Sequence, residues 1–157
     1  MAGSTSKKVQ IVRFDREPLI GFVNPLNYLT ESGVELLNLA GSVTVARYEE
    51  VKTVLFVREF DGGAMRKEFL SRPKLDGLWL QLTYRDGDKQ QAVMPNNLLQ
   101  VEPLGLNLIP PETTQRIWVP RQALLSVQVL GVIGSPLTAA KKKKAVPKDQ
   151  IGLFEQL

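Results

Sequence analysis

The chain has 157 residues, 43% of them hydrophobic and 23% charged, which is an ordinary globular composition sufficient for one domain or two very small ones. It contains neither cysteine nor histidine, which excludes disulfides, thiolate metal sites, cysteine nucleophiles and the most common general base. The excess positive charge lies at the C-terminus, because residues 1–135 hold 15 basic against 14 acidic residues and residues 136–157 hold 5 against 2.

These features favour a cytoplasmic protein without catalytic machinery. Residues 1–8 are small and polar and are followed by no signal-like apolar run, so we expect a disordered N-terminus. No stretch approaches the roughly 18 apolar residues of a membrane helix. Without histidine or cysteine, only carboxylate or lysine chemistry remains, and no constellation for either is visible. We therefore expect a protein that is not an enzyme, needs no metal or cofactor and does not contact a membrane.

The first unit, residues 9–60, has the pattern of five short strands. Val9 and Ile11 alternate with polar residues, and a turn follows at residues 15–18. Apolar or β-branched runs predict further strands in residues 33–39 and 42–48. The spacing in residues 48–53 fits one short helical turn, after which residues 54–60 form the last strand.

The second unit, residues 77–134, repeats the first one after a connector at residues 61–76. A displacement of 70 residues pairs Phe14 with Tyr84 and Val23 with Val93, and three more residues in the second copy pair Val54 with Val127. We therefore predict an all-β fold of two tandem five-stranded barrels, SH3-like or Sm-like, packed as a pseudo-dimer. Trp79 and Trp118 lie in alternating patterns and are predicted to be core or interface residues. Whether the two units share one sheet, and the oligomeric state, stay open.

The body resembles two families of small β-barrels. A Pro-x-Asn-x-Leu string in each copy, containing Asn27 and Asn97, stands roughly where Sm-like proteins carry their loop asparagine, which implies nucleic-acid binding. An asparagine after proline at a strand end also forms turns, which is the alternative. PilZ barrels bind a cyclic dinucleotide through an arginine pair, and Arg66 and Arg72 precede the second unit, although the second PilZ motif is absent. A solvated connector is the alternative for these arginines.

Residues 135–157 lose the strand pattern and are predicted to be a flexible, lysine-rich tail. Near its end, Gln150, Ile151, Leu153 and Phe154 form a Gln-Ile-Gly-Leu-Phe string that resembles the bacterial sliding-clamp-binding motif, Gln-Leu-(Ser/Asp)-Leu-Phe. The resemblance implies that Leu153 and Phe154 are the anchors in a groove of the clamp. The upstream lysines would then lie near DNA and add weak, non-specific contact; they are Lys141, Lys142, Lys143 and Lys144.

Two functions follow from these features. The first is an adaptor for DNA replication or repair that is attached to the sliding clamp through its tail. The second is an Sm-like or PilZ-like module that binds nucleic acid or a nucleotide, with a purely structural tail. In that case the apolar end folds back onto an edge of a barrel.

Overall fold

A computed structural model of the chain describes residues 6–60, 65–96, 102–112 and 115–134, and these residues confirm the all-β class. Alternating apolar positions with many β-branched residues form the strands. No helix in these ranges is long and apolar enough to cross a membrane. The elements are β1 (Lys7–Arg13), β2 (Leu19–Val23), β3 (Val34–Asn38), β4 (Val43–Ala46), the 3₁₀ turn η1 (Tyr48–Glu50), β5 (Val51–Phe56), β6 (Gly77–Tyr84), β7 (Lys89–Pro95), β8 (Gly105–Leu108), β9 (Ile117–Pro120), the 3₁₀ turn η2 (Arg121–Ala123) and β10 (Leu124–Ile133).

The strands form a seven-stranded sheet in the order β4-β3-β2-β1-β5-β9-β8 and a three-stranded sheet in the order β10-β6-β7. The expected division into two closed five-stranded barrels is therefore not what the described strands show. Each half supplies five strands as predicted, but β9 of the second half pairs with β5 of the first and takes β8 with it. A single bridge, between Val93 and Ile109, connects β7 to the end of β8. β1 begins at Lys7, slightly before the expected start of the first unit.

The strand order is the same in both halves. In the first half the strand order is β4-β3-β2-β1-β5. In the second half it is β9-β8 in the large sheet, continued by β7-β6-β10 in the small one, so that the strands occur in the same order as their equivalents, five positions earlier in the numbering. The last strand of each half carries a bulge at the same place, where Lys52 or Leu125 is skipped in the ladder. This agrees with the expected pairing of Val54 with Val127. In the first and second strands the expected pairing is wrong by one residue, because the ladders place Arg13, and not Phe14, at the position of Tyr84, and Val23 at the position of Met94 and not of Val93.

Two glycines repeat the same close approach between strands. A Cβ at Gly33 would meet the carbonyl oxygen of Ala46, and a Cβ at Gly105 would meet the carbonyl oxygen of Val119. Both glycines stand at the start of the third strand of their half, beside the fourth strand. The duplication therefore extends to the backbone contacts that require glycine.

Each half has its own hydrophobic core, and each core also includes or contacts side chains from the other half, Phe14 among them. Trp118, from β9, is fully buried in the core of the first half beside Val54 and Tyr28. Leu55, from β5, packs against the core of the second half. Because each core is completed by a residue from the other half, the joint is part of both cores.

Candidate protein-binding surface

The loop asparagine of the first half is a turn residue. Asn27 is exposed, and its backbone N–H donates to the carbonyl of Asn24 at 3.1 Å. The side-chain bond that stabilises this turn comes from Asn24, whose Oδ1 accepts from the N–H of Leu26 at 2.9 Å. Its counterpart Asn97 lies outside the described residues, as do the lysine run at 141–144 and the string at 150–154.

The two connector arginines are exposed and contact different partners. Arg66 forms an ion pair with Glu112. Arg72 donates to the carbonyl oxygen of Val132, near the end of β10, at 3.0 Å. Within the described ranges the two arginines therefore share no partner, and each side chain has a structural contact of its own.

An ion-pair cluster that the sequence did not predict joins the halves. Lys52 Nζ lies 2.9 Å from Asp86 Oδ2 and 3.0 Å from Asp88 Oδ2, and Lys67 also contacts Asp88. Partial burial opposes the charge on Lys52, but the hydrogen bonds to the two carboxylates outweigh it, and its pKa is raised. Burial likewise opposes the charge on both aspartates, yet bonds from the lysines lower the pKa of each.

The acidic turn of the first half, with Asp15 and Glu17, is exposed. The described ranges hold no group of three or more acidic residues that could hold a metal ion.

The two tryptophans have different environments. Trp118 is fully buried, as predicted, and its ring lies 6.0 Å from that of Tyr48 and 6.4 Å from that of Tyr28. Trp79 is half-buried; it donates to Gln91 and packs edge-to-face on Phe69. Trp118 therefore belongs to the joint between halves, whereas Trp79 covers the outer face of the three-stranded sheet with a connector residue.

The surface with the clearest capacity to bind a partner runs along β10, and the sequence analysis missed it. β10 is the edge of its sheet, and five of its large hydrophobic side chains are exposed: Leu125, Val127, Val129, Leu130 and Val132. Beside it lies an open cavity of about 400 Å³, which we call the β10 groove. Its lining is mostly apolar and comprises Leu78, Leu80, Met94, Leu106, Arg121, Leu124, Leu125, Ser126, Val127 and Val129.

This arrangement is suited to binding a strand. An edge strand presents unpaired N–H and C=O groups in a row, and adjacent apolar pockets can receive alternate side chains of an added strand. The alternating pattern of residues 127–133 does predict a strand. It cannot reveal that no other described strand covers the outer side of β10, because that depends on which distant strands pair.

Comparisons with known proteins give a family but no function. No curated protein and no solved structure matches the chain significantly. A family of unknown function, DUF6982, matches residues 5–131, which include all the strands except the last residues of β10. The string at 150–154 lies outside the matched range. Because the match covers most of the sequence, the chain belongs to the DUF6982 family.

Proposed function

We propose that this chain is a non-enzymatic adaptor that docks on the bacterial DNA sliding clamp through residues 150–154. The observation that carries the proposal is the Gln-Ile-Gly-Leu-Phe string near the C-terminus, which follows a lysine run. Four of its five positions fit the clamp-binding motif, with Ile151 in place of leucine and Gly152 in place of a small polar residue. An adaptor of this kind works in the cytoplasm, where the clamp encircles DNA.

Docking of this kind depends on a few side chains. Leu153 and Phe154 enter an apolar groove of the clamp, Ile151 fills a shallower part of it, and the Gln150 amide bonds at its rim. A short peptide loses conformational entropy when it orders on its partner, so the affinity is modest and the anchors supply most of it. Gly152 adds backbone freedom and lowers the affinity further.

The body, in this proposal, is a pair of Sm-like or SH3-like units packed as a pseudo-dimer. The repeated strand order and the exchange of Trp118 and Leu55 between the cores support it. The separate ion-pair and backbone contacts of Arg66 and Arg72 favour a body that positions the tail over one that binds a nucleotide through these arginines. The second candidate is a body that itself binds nucleic acid or a nucleotide, with a purely structural tail; the weak DNA contact of the lysine run at 141–144 belongs to the clamp proposal.

The test is binding of the full chain to a purified bacterial sliding clamp, measured by surface plasmon resonance. We expect micromolar affinity for the unmodified chain and loss of binding for the triple variant Gln150→Ala, Leu153→Ala, Phe154→Ala. The matched control is Glu155→Ala with Gln156→Ala, which alters the same end of the chain outside the string and should bind normally.

Absence of clamp binding, or equal binding by the triple variant, would contradict the clamp proposal. The nucleic-acid alternative is tested in parallel with single-stranded DNA. It predicts binding that falls steeply with salt and survives replacement of the lysine run at 141–144; binding that needs these lysines would contradict it.

A further inference from the structure

The joint between the two halves is a short antiparallel strand pair with buried side chains. In it, Val54 of β5 lies opposite Trp118 of β9, and Leu55 lies opposite Ile117. The N–H of Phe56 donates to the carbonyl of Arg116 at 3.1 Å. The side chains of Val54 and Trp118 are completely buried. This joint shows how the last strand of one unit and the fourth strand of another fit together.

The same two kinds of strand are edge strands elsewhere in the described sheets. β10 is the second half's equivalent of β5, and β4 is the first half's equivalent of β9; each is the end strand of its sheet. Val127, equivalent to Val54, is 43% exposed, and Val45, equivalent to Trp118, is 41% exposed. Of the twelve exposed large hydrophobic residues in the described ranges, seven lie on these two strands, which marks both as uncovered interfaces.

The β10 groove is the second half's version of the site that Trp118 fills in the first half. The strand ladders and the two 3₁₀ turns give the equivalences. Residues of the first core or packed against it correspond one by one to residues that line the groove: Val9 to Leu80, Val23 to Met94, Val34 to Leu106, Tyr48 to Arg121, Val51 to Leu124, Val54 to Val127 and Phe56 to Val129. The groove is therefore a site of the same construction with its central side chain absent from the described residues.

The sizes of the side chains indicate what fills it. Five valines of the first core, which contains Trp118, have equivalents in the groove; four of these equivalents are larger, namely Leu80, Met94, Leu106 and Leu124, and the fifth, Val127, is again a valine. A smaller central residue is therefore required, and Val45 is the equivalent of Trp118. One pair differs in the opposite direction, because the guanidinium of Arg116 lies 4.3 Å from the centre of the Phe56 ring and their equivalents are Val43 and Val129. The two residues of the cation–π contact at the joint therefore have two exposed valines as their equivalents, which could form an apolar contact if the joint were repeated.

The groups that form a polar contact at the joint also have equivalents at the two edges. The hydroxyl of Thr53, which is buried, lies 3.3 Å from the carbonyl oxygen of Trp118. Its equivalent in β10 is Ser126, which keeps a hydroxyl and is exposed. The corresponding acceptor is the carbonyl oxygen of Val45.

We propose that β10 of one copy of this chain pairs antiparallel with β4 of a second copy, repeating the joint between the halves. Val127 then lies opposite Val45, Gln128 lies opposite Thr44, and Val45 enters the β10 groove. The contact joins two different surfaces, so an open assembly of any length keeps one free β4 at one end and one free β10 at the other, until a ring closes or a filament grows.

The first test is the mass of the full chain by size-exclusion chromatography with light scattering, across a concentration series. We expect multiples of the 17.5 kDa chain. Val45→Lys and Val127→Lys should each lower the mass, because a charged side chain would have to enter an apolar contact. Leu26→Lys is the control, since this leucine is 87% exposed and lies on neither strand, and it should leave the mass unchanged. Thermal melts of all variants check that the fold persists.

Mixing the two blocked variants gives the sharper result. Val45→Lys keeps an intact β10 and Val127→Lys keeps an intact β4, so the mixture should form a 1:1 dimer that grows no further. Two variants blocked on one and the same surface would not complement each other in this way.

A monomeric unmodified chain would overturn the proposal, as would an oligomer that both lysine variants leave intact. The tail, residues 135–157, is the other candidate occupant of the β10 groove. Deleting these residues tests whether the tail or β4 of a second copy fills the groove. If deletion abolishes the oligomer, or turns a monomer into one, the tail fills the groove and pairing with β4 is wrong.

Discussion

Lys52 illustrates how single side chains fasten the two halves together. Its ammonium group bonds Asp86 and Asp88 in the β6–β7 turn and lies 4.8 Å from the centre of the Tyr84 ring, while its own strand belongs to the first half. Its side chain is only 14% exposed, so water screens these contacts less than those of a surface pair.

Replacing Lys52 by methionine should lower the free energy of unfolding by about 1–2 kcal/mol, because the stem is kept while two charge-assisted hydrogen bonds are lost. Denaturant titration measures the change. Lys89→Met is the matched control. This lysine is exposed at the start of β7, next to Asp88 in the sequence, and forms no ion pair with the described residues, so its replacement should change the free energy of unfolding little. Equal effects of the two substitutions would contradict the assigned role of Lys52.

The same cluster sets an acid dependence with a definite sign. The folded state lowers the pKa of Asp86 and Asp88 below the ordinary 3.8. Their contribution to the free energy of unfolding is therefore complete above pH 3.8. It is lost as the pH falls from there through the folded-state pKa values. The stability difference between the unmodified chain and Lys52→Met should therefore narrow below about pH 4. A difference that stays constant down to pH 2 would show that the lost contacts are not ionic.

At the scale of elements, the sequence predicts which strands exist but not how they combine. Local alternation, the Asp86-Gly87 turn and the spacing before the last strand locate ten strands and two helical turns, since these depend on nearby residues. The pairing of β9 with β5 joins residues more than 60 positions apart, and no local pattern encodes it. For the same reason the sequence places Trp118 in a core without saying which one, and it misses the β10 groove.

Trp118 is the residue through which β9 packs into the core of the first half. Its replacement by valine should lower the free energy of unfolding by roughly 3 kcal/mol, because it leaves a cavity. Its indole N–H has no hydrogen-bond partner among the described residues, so the loss is one of packing. Trp79→Val, at the half-buried tryptophan, should cost clearly less. Adding Val51→Leu to Trp118→Val should recover part of the loss, because the β10 groove has Leu124 in place of Val51 and, in the proposed pairing of two copies, receives Val45 in place of Trp118. Denaturant melts of the four proteins decide this, and no recovery in the double variant would contradict the equivalence of the two sites.

At the scale of the whole molecule, the exchange of side chains between cores makes the halves mutually dependent. The duplication itself was visible in the sequence, because equivalent apolar and turn residues recur at a nearly constant displacement. The division into seven and three strands was not, since it follows from where β8 and β9 dock. A half without its partner would expose the paired edge of β5 or β9 and would lack either Trp118 or Leu55.

Cutting the chain between residues 61 and 62 tests this dependence. We expect each piece alone to be unfolded or aggregated, because a unit of this size with an open core and a bare edge strand has little net stability. Co-expressed, the pieces should copurify at 1:1 and give the near-ultraviolet circular dichroism of the intact chain. Leu55→Lys in the first piece should abolish copurification, since this residue lies opposite Ile117 and packs on the second core. Leu39→Lys, at a leucine that is 58% exposed, should not. If each piece instead folded alone with a cooperative melt, the halves would be independent domains, and the β5–β9 pair would be a contact between finished units.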